Sequence, residues 1–279
     1  MHKDHVQEYL LKVTKHLFGP INPEYNPSTD IIPQPIYRRH EIPIADYLMS
    51  FKEALTEEFL RGYSNLEEAI NAQGHPVLQK REDRKQYFDK VEFDEQLTRF
   101  PDAATQFIRT LHGDESIVNP HAWKNVELKY HCPFENIHWD IDPEYAQKRY
   151  PVAYKLIQEF GDDCPISSFS YIGPMSTLHR HTGPENRLGE FIRIHIPLII
   201  PPGDIFFEVH GEEIDWSDIF AFDNQLAHSA HNLSNDHRLI FLIDIRRSRI
   251  GMPPGQTYNR DRQLHSVATS FVRKPKNER

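Results

Sequence analysis

The sequence predicts an α+β protein. Its helices gather in the N-terminal part, and a mainly β core, a barrel or jelly roll, follows them. Three observations predict this. Residues 192–199 alternate, with Ile192, Ile194, Ile196 and Leu198 on one face and Arg193 and His195 on the other. Residues 238–246 repeat the pattern, with Leu239, Phe241, Ile243 and Ile245 opposite Arg238. From about residue 166, short β-like runs are separated by turn residues such as Pro201-Pro202-Gly203 and Gly211, as in closed or sandwiched antiparallel folds. Arginine and histidine opposite isoleucine imply a sheet covered on one face and lining a polar cavity on the other.

The elements follow in order. Residues 4–17 carry Val6, Tyr9, Leu10, Val13 and Leu17 at helical spacing. Six prolines between 18 and 43 forbid a regular element and predict an extended connection. Ile44, Tyr47, Leu48, Phe51, Leu55 and Phe59 form one stripe and predict a helix over 44–61. Ser64-Asn65-Leu66-Glu67 reads as a capping box opening a third helix. Residues 75–98 lack a period and read as loop with a short strand. Pro101 to His112, followed by Gly113, reads as a helix. Residues 123–130 alternate as a strand. Asp142-Pro143 opens a helix that Pro151 interrupts and Gly161 ends, and 166–172 is β-like. Further strands are expected at 205–209, 219–222 and 227–231. The expected organisation is a helical, Pro-rich portion over 1–119 packed on a β core over 120–250, with a tail over 251–279, all one compact domain.

Composition narrows the function. A chain of 279 residues with net charge −9 and no long basic run before the tail argues against nucleic acid as the main partner. No run of about 18 apolar residues predicts a membrane span, and Met1-His2-Lys3-Asp4-His5 has no apolar signal core. Two cysteines, Cys132 and Cys164, make no disulfide framework and no CxxC zinc knuckle. A cytoplasmic enzyme is expected.

The chemistry concentrates between Ser170 and Asp244. His181-Thr182-Gly183-Pro184 is followed by Arg193-Ile194-His195, about fifty residues separate His181 from His228, and Arg238 lies about ten residues further on. A mononuclear iron oxygenase needs a few N/O ligands on one side of the metal and a cation for the far carboxylate of a keto acid. Ligands far apart in sequence but on adjacent strands suit a jelly roll, and arginine grips a carboxylate with two parallel hydrogen bonds.

These residues, with Phe222-Asp223, Trp123 to Leu128 and Phe169-Ser170-Tyr171, resemble the aspartyl/asparaginyl β-hydroxylases over roughly 120–248. The resemblance implies a double-stranded β-helix (cupin-like) core and an Fe(2+)- and 2-oxoglutarate-dependent dioxygenase using O2. It implies His181 and His228 as metal ligands and Arg238, with Ser170 beside it, on the distal carboxylate of 2-oxoglutarate. Arg193 and His195 would hold 2-oxoglutarate or orient the ligands. Gly183 stands where most related oxygenases carry an acidic ligand, so water would complete the iron face. The stretch from His181 to Arg193 is a few residues longer than in the family. A register resembling the free-proline hydroxylases would instead make His179 a ligand and place His181 at the carboxylate position. Asp223 and Glu185 are further candidates for a carboxylate ligand.

Blander roles stand beside these. His195 also reads as a packed histidine, Ser170 as the satisfied end of a strand, and Arg193 as a partner of Glu190 or Glu208. Trp123 and Trp216 read as core. His131, His138, His210, His231 and His237 read as hydrogen-bonded core or surface residues. The expected substrate is an amino acid, free, carrier-bound or peptidyl, Asp- and Asn-like residues included. The rival functions are a jelly roll that binds a small acid or metal without turnover, and a zinc hydrolase.

Overall fold

The computed structural model describes residues 34–76, 123–133, 137–181 and 188–257, with isolated positions at 22, 24–26, 183, 186, 259, 261 and 262. At 75, 76, 137 and 179–181 the description is of backbone only. The helices expected at 4–17 and 101–112 lie outside the described residues.

Two antiparallel sheets face each other. The larger contains β1 (Ile36–Arg38), β2 (His75–Pro76), β3 (Trp123–Cys132), β4 (Ile137–Asp140), β5 (Ile166–Ile172), β7 (Phe191–Ile199), β10 (Phe220–Phe222) and β12 (Arg238–Arg246). Their order is β1-β10-β7-β12-β5-β3-β2, with β4 also on β3. The smaller sheet runs β6-β11-β8-β9, built from β6 (Ser176–His181), β8 (Ile205–Val209), β9 (Glu212–Ile214) and β11 (His228–Asn232). The core is a cupin-like jelly roll.

Alternation along the strands splits the apolar residues into two clusters. Ile192, Ile194, Ile196, Leu239, Phe241, Ile243, Ile245 and Phe169 pack outward against the helices. Phe207, Trp216, Phe220, Phe222, Ile172 and Ile240 pack between the sheets. The helices are α1 (Ala45–Met49), α2 (Lys52–Leu60), α3 (Leu66–Gln73), α4 (Pro143–Arg149) and α5 (Pro151–Phe160). Leu48, Leu55, Phe59, Ile70, Leu156 and Ile157 meet the outward face of the large sheet, with Phe59 and Phe169 ring centroids 4.8 Å apart.

Polar groups lock this layer. Glu58 accepts hydrogen bonds from the Val152 and Ala153 N–H groups at 2.7 and 2.9 Å, so α2 caps the start of α5. The Arg149 guanidinium donates to the Glu58, Arg61 and Phe59 carbonyls and to the Gln73 side chain, satisfying the end of α2.

Three local expectations shift. The helix expected over 44–61 breaks at Ser50–Phe51 into α1 and α2. The capping box moves one residue on: Asn65 accepts from Glu68 N, and Glu68 accepts from Ser64 N. The proline-rich connection supplies β1, which pairs with β10 at Ile36–Phe222. No helix among the described residues is long and apolar enough to cross a membrane.

Candidate active site

The candidate site lies where the two sheets face each other at the ends of β6, β11 and β12. His181 and His228 are cross-strand partners on β6 and β11. A register shift follows between His228 and Ala230, and His179 falls in that irregular stretch. Two residues past β6, the Gly183 N–H donates to the Asn224 carbonyl at 2.7 Å.

His228 is buried among Phe207 and Phe222. Its Nδ1 lies 2.7 Å from the Leu226 carbonyl. A carbonyl can only accept, so Nδ1 carries the proton and Nε2 is the basic nitrogen. That is the tautomer of a metal-binding imidazole oriented by a backbone carbonyl.

Arg238 is 1% exposed. Its Nη1 donates weakly to the Ser170 carbonyl at 3.4 Å, its guanidinium lies 4.4 Å from the centre of the Trp216 ring, and its Nε has no hydrogen-bond partner. No carboxylate pairs with it among the described residues. Burial alone pushes its pKa down to about 9. Such a cation is incomplete: burying a charge without an anion is costly, and the open donors are those of a carboxylate fork.

Around it, Trp123 Nε1–H donates to Ser170 Oγ at 3.4 Å. Asn125, cross-strand partner of Ser170, holds a buried Oδ1 with no hydrogen-bond partner. His195 accepts from Trp216 Nε1–H at Nδ1, 3.4 Å away, and its ring touches Phe207, Phe220 and Phe222. Burial, then the charges of Arg238 and Arg193, hold His195 well below the usual imidazole range. It is therefore neutral, with its proton on Nε2.

Arg193 is engaged within the sheet. Its Nε and Nη2 donate to the two Asp244 oxygens at 2.7 and 2.9 Å, from directly opposite positions on β7 and β12.

Asp223, a candidate ligand in sequence, is enclosed by donors. Oδ1 accepts from Asn186 Nδ2 at 2.9 Å and Gln225 N at 3.3 Å. Oδ2 accepts from Gln256 N at 2.8 Å and faces Arg247 Nη2 at 3.5 Å. Burial raises its pKa against these partners. Asn186 also brackets Phe191, donating to its carbonyl and accepting from its N–H. Gly255 lies in the same clamp, and a Cβ there would come within 2.4 Å of Asp223 Oδ2. Asp223 thus ties Asn186, and with it the start of β7, to the segment after β12. Glu185 lies outside the described residues.

Trp216 is core, as its sequence reading has it, but its stacking on Arg238 and the place of Asn125 escape sequence reading. Trp216 sits in an acidic run, Glu212 to Asp218, and only the closure of the sheets lays it on Arg238.

The core is thus cupin-like, with paired histidine positions on β6 and β11 and a buried arginine that no carboxylate matches among the described residues. The model of the aspartyl/asparaginyl beta-hydroxylase family matches residues 69–248, and the chain belongs to that family. Membership supports a hydroxylase of the oxygenase type. A comparison with curated proteins found no match. Among solved structures, the chain is similar to a 2OG-Fe(II) oxygenase-family oxidoreductase from Burkholderia pseudomallei, at 8% identity and TM-score 0.32, covering 51% of this chain and 74% of that one. It is also similar to a predicted oxalate decarboxylase from Thermotoga maritima, at 17% identity and TM-score 0.26, covering 32% and 73%. The ribosomal oxygenase YcfD from Escherichia coli matches at 14% identity and TM-score 0.27, covering 44% and 31%.

Proposed function

We propose that the chain is an iron(II)- and 2-oxoglutarate-dependent oxygenase. It hydroxylates an unactivated C–H bond of an amino acid, free, carrier-bound or peptidyl, with Asp- and Asn-like residues included. The observation that carries this reading is Arg238, a buried guanidinium with an unpartnered Nε and no carboxylate beside it among the described residues. A dicarboxylate keto acid supplies the missing anion.

The residues fit the cofactor. His228 offers a basic Nε2 fixed by its Nδ1–H bond, and His181 stands opposite it in the ladder. These two would hold the metal, with water or His179 as the third ligand. When bound, iron(II) and 2-oxoglutarate supply the oxidising chemistry, consuming O2 and releasing succinate and carbon dioxide.

The chain's own groups do the positioning. Arg238 grips the distal carboxylate from beneath Trp216, and Ser170, held by Trp123, flanks it. His195 stays neutral and offers Nε2–H as a donor. Arg193, neutralised by Asp244, keeps β7 and β12 in register and leaves Arg238 as the cation for the ligand. Phe207, Phe220 and Phe222 exclude water, which strengthens each polar contact inside.

Anaerobic titration with iron(II) and 2-oxoglutarate tests this. The visible charge-transfer band of the chelate is expected in the wild type, absent in His228→Ala and reached only at much higher 2-oxoglutarate in Arg238→Ala. Bound iron without a band would overturn the reading.

A further inference from the structure

The β3–β4 hairpin lies at the far edge of the large sheet from β1 and carries a second group of metal-binding side chains. His131 and His138 are cross-strand partners. Their rings stack at 3.6 Å between centroids, with 26° between planes. Asp140 stands two residues beyond His138 on the same face of β4. Both imidazoles turn Nε2 toward one oxygen: Asp140 Oδ2 is 2.9 Å from His131 Nε2 and 3.5 Å from His138 Nε2. The three ligand atoms all lie within 4.8 Å of one another.

We propose that His131, His138 and Asp140 form a second metal site, separate from the barrel, that takes a divalent ion of the zinc class. Bonds of about 2.0–2.1 Å in a tetrahedral shell hold donors roughly 3.3–3.4 Å apart. The two nitrogen–oxygen separations already bracket that edge, and an ion would enter as the exposed His138 ring swings out of the stack to aim its Nε2 at the same point as His131. Two imidazoles and one carboxylate are a donor set that zinc and its neighbours accept. His138 and Asp140 are solvent-facing, with 76% and 50% of their side chains exposed, which gives an entry path and leaves the fourth position to water. His131 is largely buried and anchors the site. The nearby Lys129 ammonium is drawn away to the Gly161 carbonyl at 2.8 Å.

One divalent ion satisfies all three groups and staples the hairpin across its strands.

The experiment uses the full chain, stripped of metal, and zinc alone as the probe. Calorimetric titration and metal analysis after desalting should find one more equivalent in the wild type than in His138→Ala or Asp140→Asn. The variants should bind that equivalent more weakly by over about tenfold, a loss that even outer partners of a metal can cause. Zinc should raise the thermal midpoint of the wild type above that of either variant. His228→Ala should retain the hairpin equivalent, which separates this site from the barrel. Equal stoichiometry in the wild type and the two hairpin variants would overturn the proposal. So would loss of the same equivalent in His228→Ala.

Discussion

Arg193 and Arg238 stand on neighbouring strands and on the same side of the large sheet, but only Arg193 has a carboxylate directly across from it. The ladder register makes that difference. Asp244 sits opposite Arg193, whereas Ile172 sits opposite Arg238 on β5. Sequence spacing brought both arginines to the site and could not assign them different work, because the deciding neighbours lie on other strands. Breaking a buried pair leaves an uncompensated charge and costs roughly 3–5 kcal/mol. Arg193→Ala should therefore lower stability by about that amount in chemical denaturation, since Asp244 is buried. An unchanged midpoint would show that the pair contributes little to the fold. The histidines divide in a similar way. His228 could be picked out by its distance from Arg238, but its tautomer depends on the Leu226 carbonyl, which only the folded turn supplies.

At the scale of elements, period and punctuation were readable wherever local chemistry decides. The alternation of β7 and β12 appears in the sequence because each strand has one face against the helices and one between the sheets. Asp142-Pro143 and Pro151 set the start of α4 and its junction with α5 for reasons internal to the segment. β1 was not readable, since three residues after a proline run become a strand only when β10 offers its edge. The break at Ser50–Phe51 carries no proline or glycine to announce it. Glu58 shows what element packing adds. Its burial raises its pKa from the ordinary 4.5 to about 7, despite two N–H donors and two nearby arginines. A carboxyl with a raised folded-state pKa binds its proton more tightly in the native protein. Its stabilising contribution is thus full below about 4.5 and is lost as pH rises toward 7. Thermal midpoints across that window should fall with pH, and Glu58→Gln should flatten the slope. An equal slope in the variant would remove Glu58 as its source.

In the molecule as a whole, the two faces of the large sheet have separate duties. The outer face is spent on stability against α2, α3 and α5, and the inner face carries the polar groups. Substitutions in the outer layer should therefore change stability without retuning the site. Phe59 is fully buried against Phe169, and Phe59→Ala should cost roughly 3–5 kcal/mol. Below its unfolding transition the variant should retain the wild-type affinity for 2-oxoglutarate. A large loss of affinity would mean that the sheet transmits strain from one face to the other.

The clamp around Asp223 has a consequence for how the molecule is made. Its donors come from Asn186, Gln225, Arg247 and Gln256, so Asp223, which accepts from Asn186, takes its final donors from chain synthesised after β12. Translation proceeds from the N-terminus. While the ribosome is still adding β12, both histidine strands have been made without that brace. Residues 247–256 therefore complete the brace, and Asp223 and Asn186 are fully held only once they have emerged.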